Sequence, residues 1–160
     1  IEKMEDENWN RSIELNMSSH MRVMRGCLPY LKEGFDPAVV IVASKNVPAP
    51  GPGAAAYSAA KAGLTQMARV AALELGADGV RINILHPNAV YDTAIWTEEV
   101  LAERAEHYGF SVEEYKTANI LQSEVYSQDV AKAVVLFAGK SLAKTTGAQL
   151  PIDGGNERVI

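Results

Sequence analysis

Ser44, Tyr57 and Lys61 stand thirteen and then four residues apart. Ser44 closes the apolar run Val39-Val40-Ile41-Val42-Ala43, which reads as a buried strand, and Tyr57 and Lys61 open the helix that follows. Residues four apart share a helix face, so a phenol and an ammonium there can reach one ligand. A free tyrosine is a poor base at neutral pH. A nearby ammonium favours the phenolate, and the partial positive charge of a helix N-terminus acts in the same sense. A serine hydroxyl can donate to a substrate oxygen as charge develops on it. The trio therefore describes an acid/base site that moves a proton on an alcohol or carbonyl while a cofactor moves the hydride. Its place fits, since open α/β sheets bind ligands outside the carboxyl ends of their strands. Tyr-x-x-x-Lys alone also describes a solvated helix face. The serine, the strand and the Pro/Gly-rich loop between them favour the chemical reading.

The elements that must position these residues follow from periodicity. Trp9, Ile13, Met17, Met24, Leu28 and Leu31 recur at helical spacing from Glu5 to Lys32, with Asn16 on or beside the inward face. Pro29 is expected to bend or tighten the last turn, and Gly34 to end it. Ala38 to Ser44 is the strand, and Lys45 to Ala55, with three prolines and two glycines, is a loop. Ala56 to Ala77 is predicted helical, with Ala60, Leu64, Met67, Ala68, Ala71 and Leu75 on one side; its alanines allow close packing. Asp78-Gly79 introduces a second strand, Val80 to His86, and Pro87 to Thr93 is a loop. Trp96 to Tyr108 and Val112 to Asn119 read as surface helices separated by Gly109. A helix from Ser127 to Ala138 would have Ser127 as its N-cap and Asp129 near its positive end. Ala148 to Ile152 is a short final strand before the turn Asp153-Gly154-Gly155. This alternation predicts an α/β fold with parallel pairing and right-handed crossovers, without an internal domain boundary over 1–160.

Composition bounds the rest. The 160 residues are 48% apolar and 22% charged, ordinary globular values that allow one core. A net charge of −5 provides no basic footprint for nucleic acid, and no apolar stretch reaches the length of a membrane span. The single cysteine, Cys27, reads as a core residue in a helix; one cysteine forms no internal disulfide, which leans towards a reducing cytoplasm. Ile1 in place of methionine points to chain upstream.

Taken in order, these residues resemble the C-terminal part of a short-chain dehydrogenase/reductase, nearly from end to end. Asn16 in Ile-Glu-Leu-Asn sits where that family carries its catalytic asparagine, and Ser44, Tyr57 and Lys61 fall at its serine, tyrosine and lysine positions. Arg81-Ile82-Asn83 resembles its Arg-x-Asn strand, Pro87 the start of the loop beside the nicotinamide, and Thr146-Gly147 and Asp153-Gly154-Gly155 its last strand and turn. The resemblance implies Tyr57 as general acid/base and Ser44 as holder of the substrate oxygen. Lys61 would support Tyr57 and bond the nicotinamide ribose, and Asn16 would anchor a water linking Lys61 to solvent. For Asn16, a helix-bending structural role is the other reading. Lys61 sets the chain apart from the family's dehalogenase offshoot, which carries arginine there.

The chain departs from the family at two places. The usual Pro-Gly is Pro87-Asn88, where Asn can tolerate a positive φ. Asp92 replaces the usual threonine, with Thr93 next to it; the resemblance then implies cofactor contacts from Tyr57, Lys61, Pro87, Val90 and Thr93, Val90 through its backbone. The Gly-rich turn and Asn-Asn-Ala-Gly segment of a complete member do not occur in the 160 residues. The expectation is therefore the C-terminal part of a Rossmann-like doubly wound sheet, three strands with flanking helices, without its N-terminal cofactor-binding half. Such an isolated stretch would be inactive and bind NAD weakly. NAD or NADP is the implied cofactor, NAD favoured.

The stretches 44–54, 95–104 and 153–160 are also similar to the dehydrogenase half of bacterial bifunctional rhamnulose-1-phosphate aldolase/alcohol dehydrogenases. That implies lactaldehyde as substrate and an aldolase domain upstream. The alternative is a non-catalytic scaffold segment, since family members pair through the helices matching 5–32 and 56–77 and through the final strand; a homo-oligomer, dimer or tetramer, is expected on either reading.

His20, His86 and His107 have no metal-ligand spacing; His86, before Pro87, reads as packed or solvated sooner than as a substrate contact. Glu98, Glu99, Glu103, Arg104 and Glu106 read as a solvated face of the lid helix, Tyr91 and Trp96 equally as pocket lining or core, and Asp153 as a turn residue.

Overall fold

The structure is a computed structural model that describes residues 1–156. The last residues of the 153–160 ending thus lie outside the described residues. Three parallel strands, β1 (Ala38–Val42), β2 (Arg81–Pro87) and β3 (Gln149–Ile152), are ordered β1-β2-β3. Val40 stands opposite Asn83, and Leu85 opposite Leu150. The outer edges of β1 and β3 have no partner strand among the described residues.

β2 is buried at every position because helices cover both faces of the central strand. On one face Ile82 and Ile84 pack against Leu64, Ala68, Ala71 and Leu75 of α3 (Ala55–Leu75). On the other, Leu85 meets Ala133 and Phe137 of α6 (Ser127–Ala138). Alanine at 60 and 68 leaves no solvent-exposed surface and lets α3 lie close on the sheet.

The first helix is one run in three parts: α1 (Asp6–Ile13), a π-helical turn (Glu14–Ser18) and α2 (Ser19–Glu33). Met17, Met24, Leu28 and Leu31 pack on the α3 side of the core, as periodicity predicts. Trp9 instead stands 39% exposed and Cys27 is exposed, because this helix buries only a narrow stripe. Pro29 is accommodated inside α2, and Gly34 ends it with φ −76°, outside the left-handed region.

Two polar residues of β2 tie in the later segments. Arg81 donates from Nη1 to Phe137 O and Leu142 O and from Nη2 to Ala138 O and Gly139 O, so it caps the carboxyl end of α6. Its Nε lies 3.5 Å from Asp36 Oδ1. Asn83, fully buried, donates to Thr145 O (2.9 Å) and accepts from Ala148 N–H (3.0 Å), which sets the chain entering β3.

Between β2 and α6 lie α4 (Glu98–Tyr108) and α5 (Val112–Lys116). Gly109 ends α4 at φ +72°, a left-handed stop between the two helices it was expected to separate. The N-cap of α6 is Tyr126, and Asp129 accepts its N–H at 3.1 Å; Ser127 is the first helical residue. The Ser127 hydroxyl and N–H both donate to Asp92, thirty-five residues earlier (2.6 and 2.7 Å). Among the described residues no helix is long and apolar enough to cross a membrane.

Candidate active site

Ser44 lies just past β1, yet the sheet still holds it. Ala43 N–H donates to Leu85 O and Lys45 N–H to Pro87 O, each at 2.8 Å, so the ladder runs on past both sides of Ser44. Its Oγ accepts Asn46 N–H (3.1 Å), which occupies one acceptor position and leaves the hydroxyl proton available to a substrate oxygen.

Tyr57 is the third residue of α3. That helix starts without a side-chain cap, so its first-turn N–H groups give the positive end that the sequence predicts. One turn on, the Lys61 ammonium lies 5.8 Å from the Tyr57 ring centroid and donates to Val42 O at 3.0 Å. Burial of the Lys61 side chain lowers its pKa from the ordinary lysine value. Lys61 thus stands at the carboxyl end of β1, with the Tyr57 ring beside it and Ser44 two residues beyond Val42 in the chain.

Asn16 sits in the π-helical turn, and its Nδ2 donates to Ser12 O at 3.1 Å, not to the other three residues. π-Helical turns often mark functional sites. This one seats on α3 at Gly63, where a Cβ would come 2.5 Å from Met17 Sδ. Gly63 lies two residues beyond Lys61, so the close approach brings Met17, next to Asn16 in the chain, against α3.

His20 follows Asn16 by one turn, and no spacing in the sequence singles it out. It is half-buried, and burial first and the Lys61 charge second lower its pKa. The His20 imidazole thus stands within electrostatic reach of Lys61. His86 is buried, as the packed reading expects, with Nδ1 2.9 Å from Ser44 O and Nε2 2.9 Å from Gln149 Oε1.

The loop after β2 takes its own form. Asn88 does not adopt a positive φ; its N–H continues the ladder to Ile152 O at 3.1 Å, so the tolerance of Asn for that conformation is not used. Thr93 donates its hydroxyl to Val90 O (2.7 Å), closing a tight turn. The Asp92 carboxylate is engaged by Ser127, and those two bonds hold its pKa below the usual carboxylate range.

Beyond Ser44 and Pro87 opens a cleft of about 660 Å³, lined by Lys45, Asn88, Tyr91, Tyr108, Tyr115 and Gln122 among others. Ser44 and Tyr57 do not line it, but their neighbours along the sheet edge do. Tyr108 and Tyr115 stack with centroids 5.8 Å apart, and Trp96 packs behind the wall, 5.3 Å from Tyr91. Burial, with Tyr115 and Glu124 nearby, raises the Tyr91 pKa, so that phenol stays neutral. The acidic side chains of α4 lie on an exposed face. Asp153 accepts Gly155 N–H (2.9 Å) in its turn. Gly154 and Gly155 there have φ +67° and +77°, and a Cβ on Gly154 would come 2.5 Å from Asn119 Oδ1.

A three-stranded parallel sheet wound on both faces, with Ser, Tyr and Lys at its carboxyl edge, is the frame of a dinucleotide-linked oxidoreductase fold. The chain belongs to the short-chain dehydrogenase/reductase family: residues 1–157 match the family model described as enoyl-(acyl carrier protein) reductase. It is 34% identical over 155 residues to the uncharacterized oxidoreductase YuxG of Bacillus subtilis, spanning 93% of this chain and 22% of that protein. It is 29% identical over 163 residues to D-beta-hydroxybutyrate dehydrogenase of Rhizobium meliloti, spanning 97% of this chain and 62% of that protein. An NADPH-bound short-chain oxidoreductase from Pseudomonas aeruginosa PAO1, described as containing an atypical catalytic center, superposes with TM-score 0.87 at 28% identity. That match covers 100% of this chain and 61% of the other. The chain spans less than two thirds of the length of each of these relatives.

Proposed function

We propose that these residues form the proton-transfer site of an NAD(P)-dependent oxidoreductase acting on a small alcohol or hydroxy-aldehyde. The observation that carries this reading is the Lys61 ammonium, 5.8 Å from the Tyr57 ring centroid and bonded to Val42 O at the end of the strand that runs on to Ser44. A bound nicotinamide would supply the hydride acceptor or donor. Tyr57 takes the proton of the substrate hydroxyl in oxidation and returns it in reduction. Ser44 Oγ donates to the same oxygen as negative charge grows there. The Lys61 charge stabilises the phenolate, and its N–H groups besides the one on Val42 O suit a ribose diol. Pro87, Val90 and Thr93 border the nicotinamide side, with the Thr93 hydroxyl already given to Val90 O. Asn16 anchors a water behind Lys61. A pyrophosphate needs a Gly-rich turn that these 160 residues do not contain, so on this reading turnover belongs to the intact gene product, in the cytoplasm.

Lactaldehyde is the substrate that the aldolase/dehydrogenase resemblance implies. The same resemblance implies an aldolase domain upstream in the parent protein. The test is NADH formation by the intact gene product from lactaldehyde and NAD, beside other small alcohols and polyols and beside NADP. Turnover of lactaldehyde is the expected result. Turnover of a different alcohol alone would discard the aldolase link and keep the dehydrogenase.

Exposed Leu15, Val23, Tyr30, Val70 and Leu73 on the first helix and α3 support a second role, a homo-oligomer paired through these helices and β3. Sedimentation of the intact gene product is expected to give a dimer or tetramer. A monomer at high concentration would remove the scaffold reading.

A further inference from the structure

A polar ring in a wholly buried strand is costly unless its nitrogens are bonded. His86 meets that condition by joining three strands. Its ring reaches from β2 to the Ser44 carbonyl at the end of β1 on one side and to Gln149 of β3 on the other, each at 2.9 Å. A carbonyl oxygen only accepts, so Nδ1 carries a hydrogen and donates to Ser44 O. The neutral ring then accepts at Nε2, which the Gln149 amide satisfies with its NH2 turned towards the ring in place of the oxygen.

The Ser44 carbonyl also accepts Val47 N–H at 3.0 Å. The loop 45–54 that follows is tied down by Lys45 N–H on Pro87 O, Asn46 N–H on Ser44 Oγ and the turn bonds of Ala49 and Ala54. The ladder bonds of Ala43 and Lys45 fix the chain on either side, and the Ser44 carbonyl itself is held by one local bond and one bond from the buried imidazole.

We infer that His86 is a positioning residue for Ser44, setting through the Ser44 carbonyl where Oγ stands relative to Tyr57. This rests on the reading of Ser44 as the donor to the substrate oxygen. Reacting groups tolerate little misplacement: an error of about 1 Å can cost roughly 100-fold in rate.

The test uses the intact gene product. His86→Leu removes the donor; His86→Asn keeps an amide N–H near the place of Nδ1. His86→Leu is expected to lower kcat roughly 10- to 100-fold with KM for the nicotinamide cofactor unchanged, and His86→Asn to restore most of it. In a Ser44→Ala background the same His86→Leu change is expected to add nothing, since it acts through a hydroxyl already gone. Crystal structures supply a readout that needs no substrate: Ser44 Oγ displaced in the Leu variant and returned in the Asn variant. An equal loss of kcat in both backgrounds, or Ser44 unmoved in the Leu variant, would overturn the inference. If the wild-type protein turned over no alcohol or carbonyl, the dehydrogenase reading would fall. The position of Ser44 would still decide the role of His86.

Discussion

Tyr57→Phe in the intact gene product is expected to lower turnover by about 10²- to 10⁴-fold, the usual worth of a general acid/base. Its unfolding midpoint and affinity for NAD are expected to stay close to wild type. The change removes one oxygen. The Tyr57 hydroxyl makes no hydrogen bond among the described residues, so its loss leaves no protein group unpaired. The ring that remains keeps its place beside Lys61. Proton transfer is needed only as the transition state forms, so kcat and kcat/KM should fall together. A fall in kcat/KM from a rise in KM alone would make Tyr57 a binding residue. Activity near wild type would remove the acid/base assignment and with it the proposed chemistry. Isothermal titration with NAD, run beside steady-state kinetics, separates these outcomes.

The sheet and the start of α3 were legible because local signals dictate both. An uninterrupted apolar run marks β1, and the turn-rich loop and alanine periodicity fix where α3 starts, so Ser44 and Tyr57 fall at its mouth without knowledge of tertiary structure. What escaped depends on distant partners. Ser127 looked like a cap because serine usually caps, but its hydroxyl goes to Asp92, and no local pattern links residues thirty-five apart. Trp9 and Cys27 share the helical periodicity of the first helix, yet periodicity says which residues lie on one face and not how widely a neighbour covers it. The π-helical turn around Asn16 changes a hydrogen-bond step from four residues to five, a shift too small for apolar spacing to reveal. His86 did leave a signal: a polar residue at the end of the buried run Val80 to His86 must find partners. The same rule applies to Arg81 and Asn83, whose pairing was visible only as a resemblance.

Arg81→Met is expected to do the opposite of Tyr57→Phe: lower the unfolding midpoint sharply while sparing kcat of the folded enzyme. Arg81 stands at the amino end of β2, away from the chemistry, and is 6% exposed. Its guanidinium serves Phe137, Ala138 and Gly139, the carbonyls that α6 leaves unpaired at its negative end, and Leu142 beyond. Asp36, held at φ +51° beside it, would lose its ion-pair partner. Breaking one side of such a buried arrangement costs about 3–5 kcal/mol, a large share of a domain's total stability of roughly 5–15 kcal/mol. Arg81→Lys keeps a charge for Asp36 but lacks the planar fork that reaches four carbonyls, so its loss should be intermediate. Urea unfolding of the intact gene product, with kcat measured well below the transition, checks both. A midpoint unchanged in Arg81→Met would mean that the α6 carbonyls find water or other donors. A kcat that falls with the midpoint intact would mean that the two ends of β2 are coupled, and that docking of α6 also sets the loop at Asp92, which the same helix holds through Ser127 at its other end.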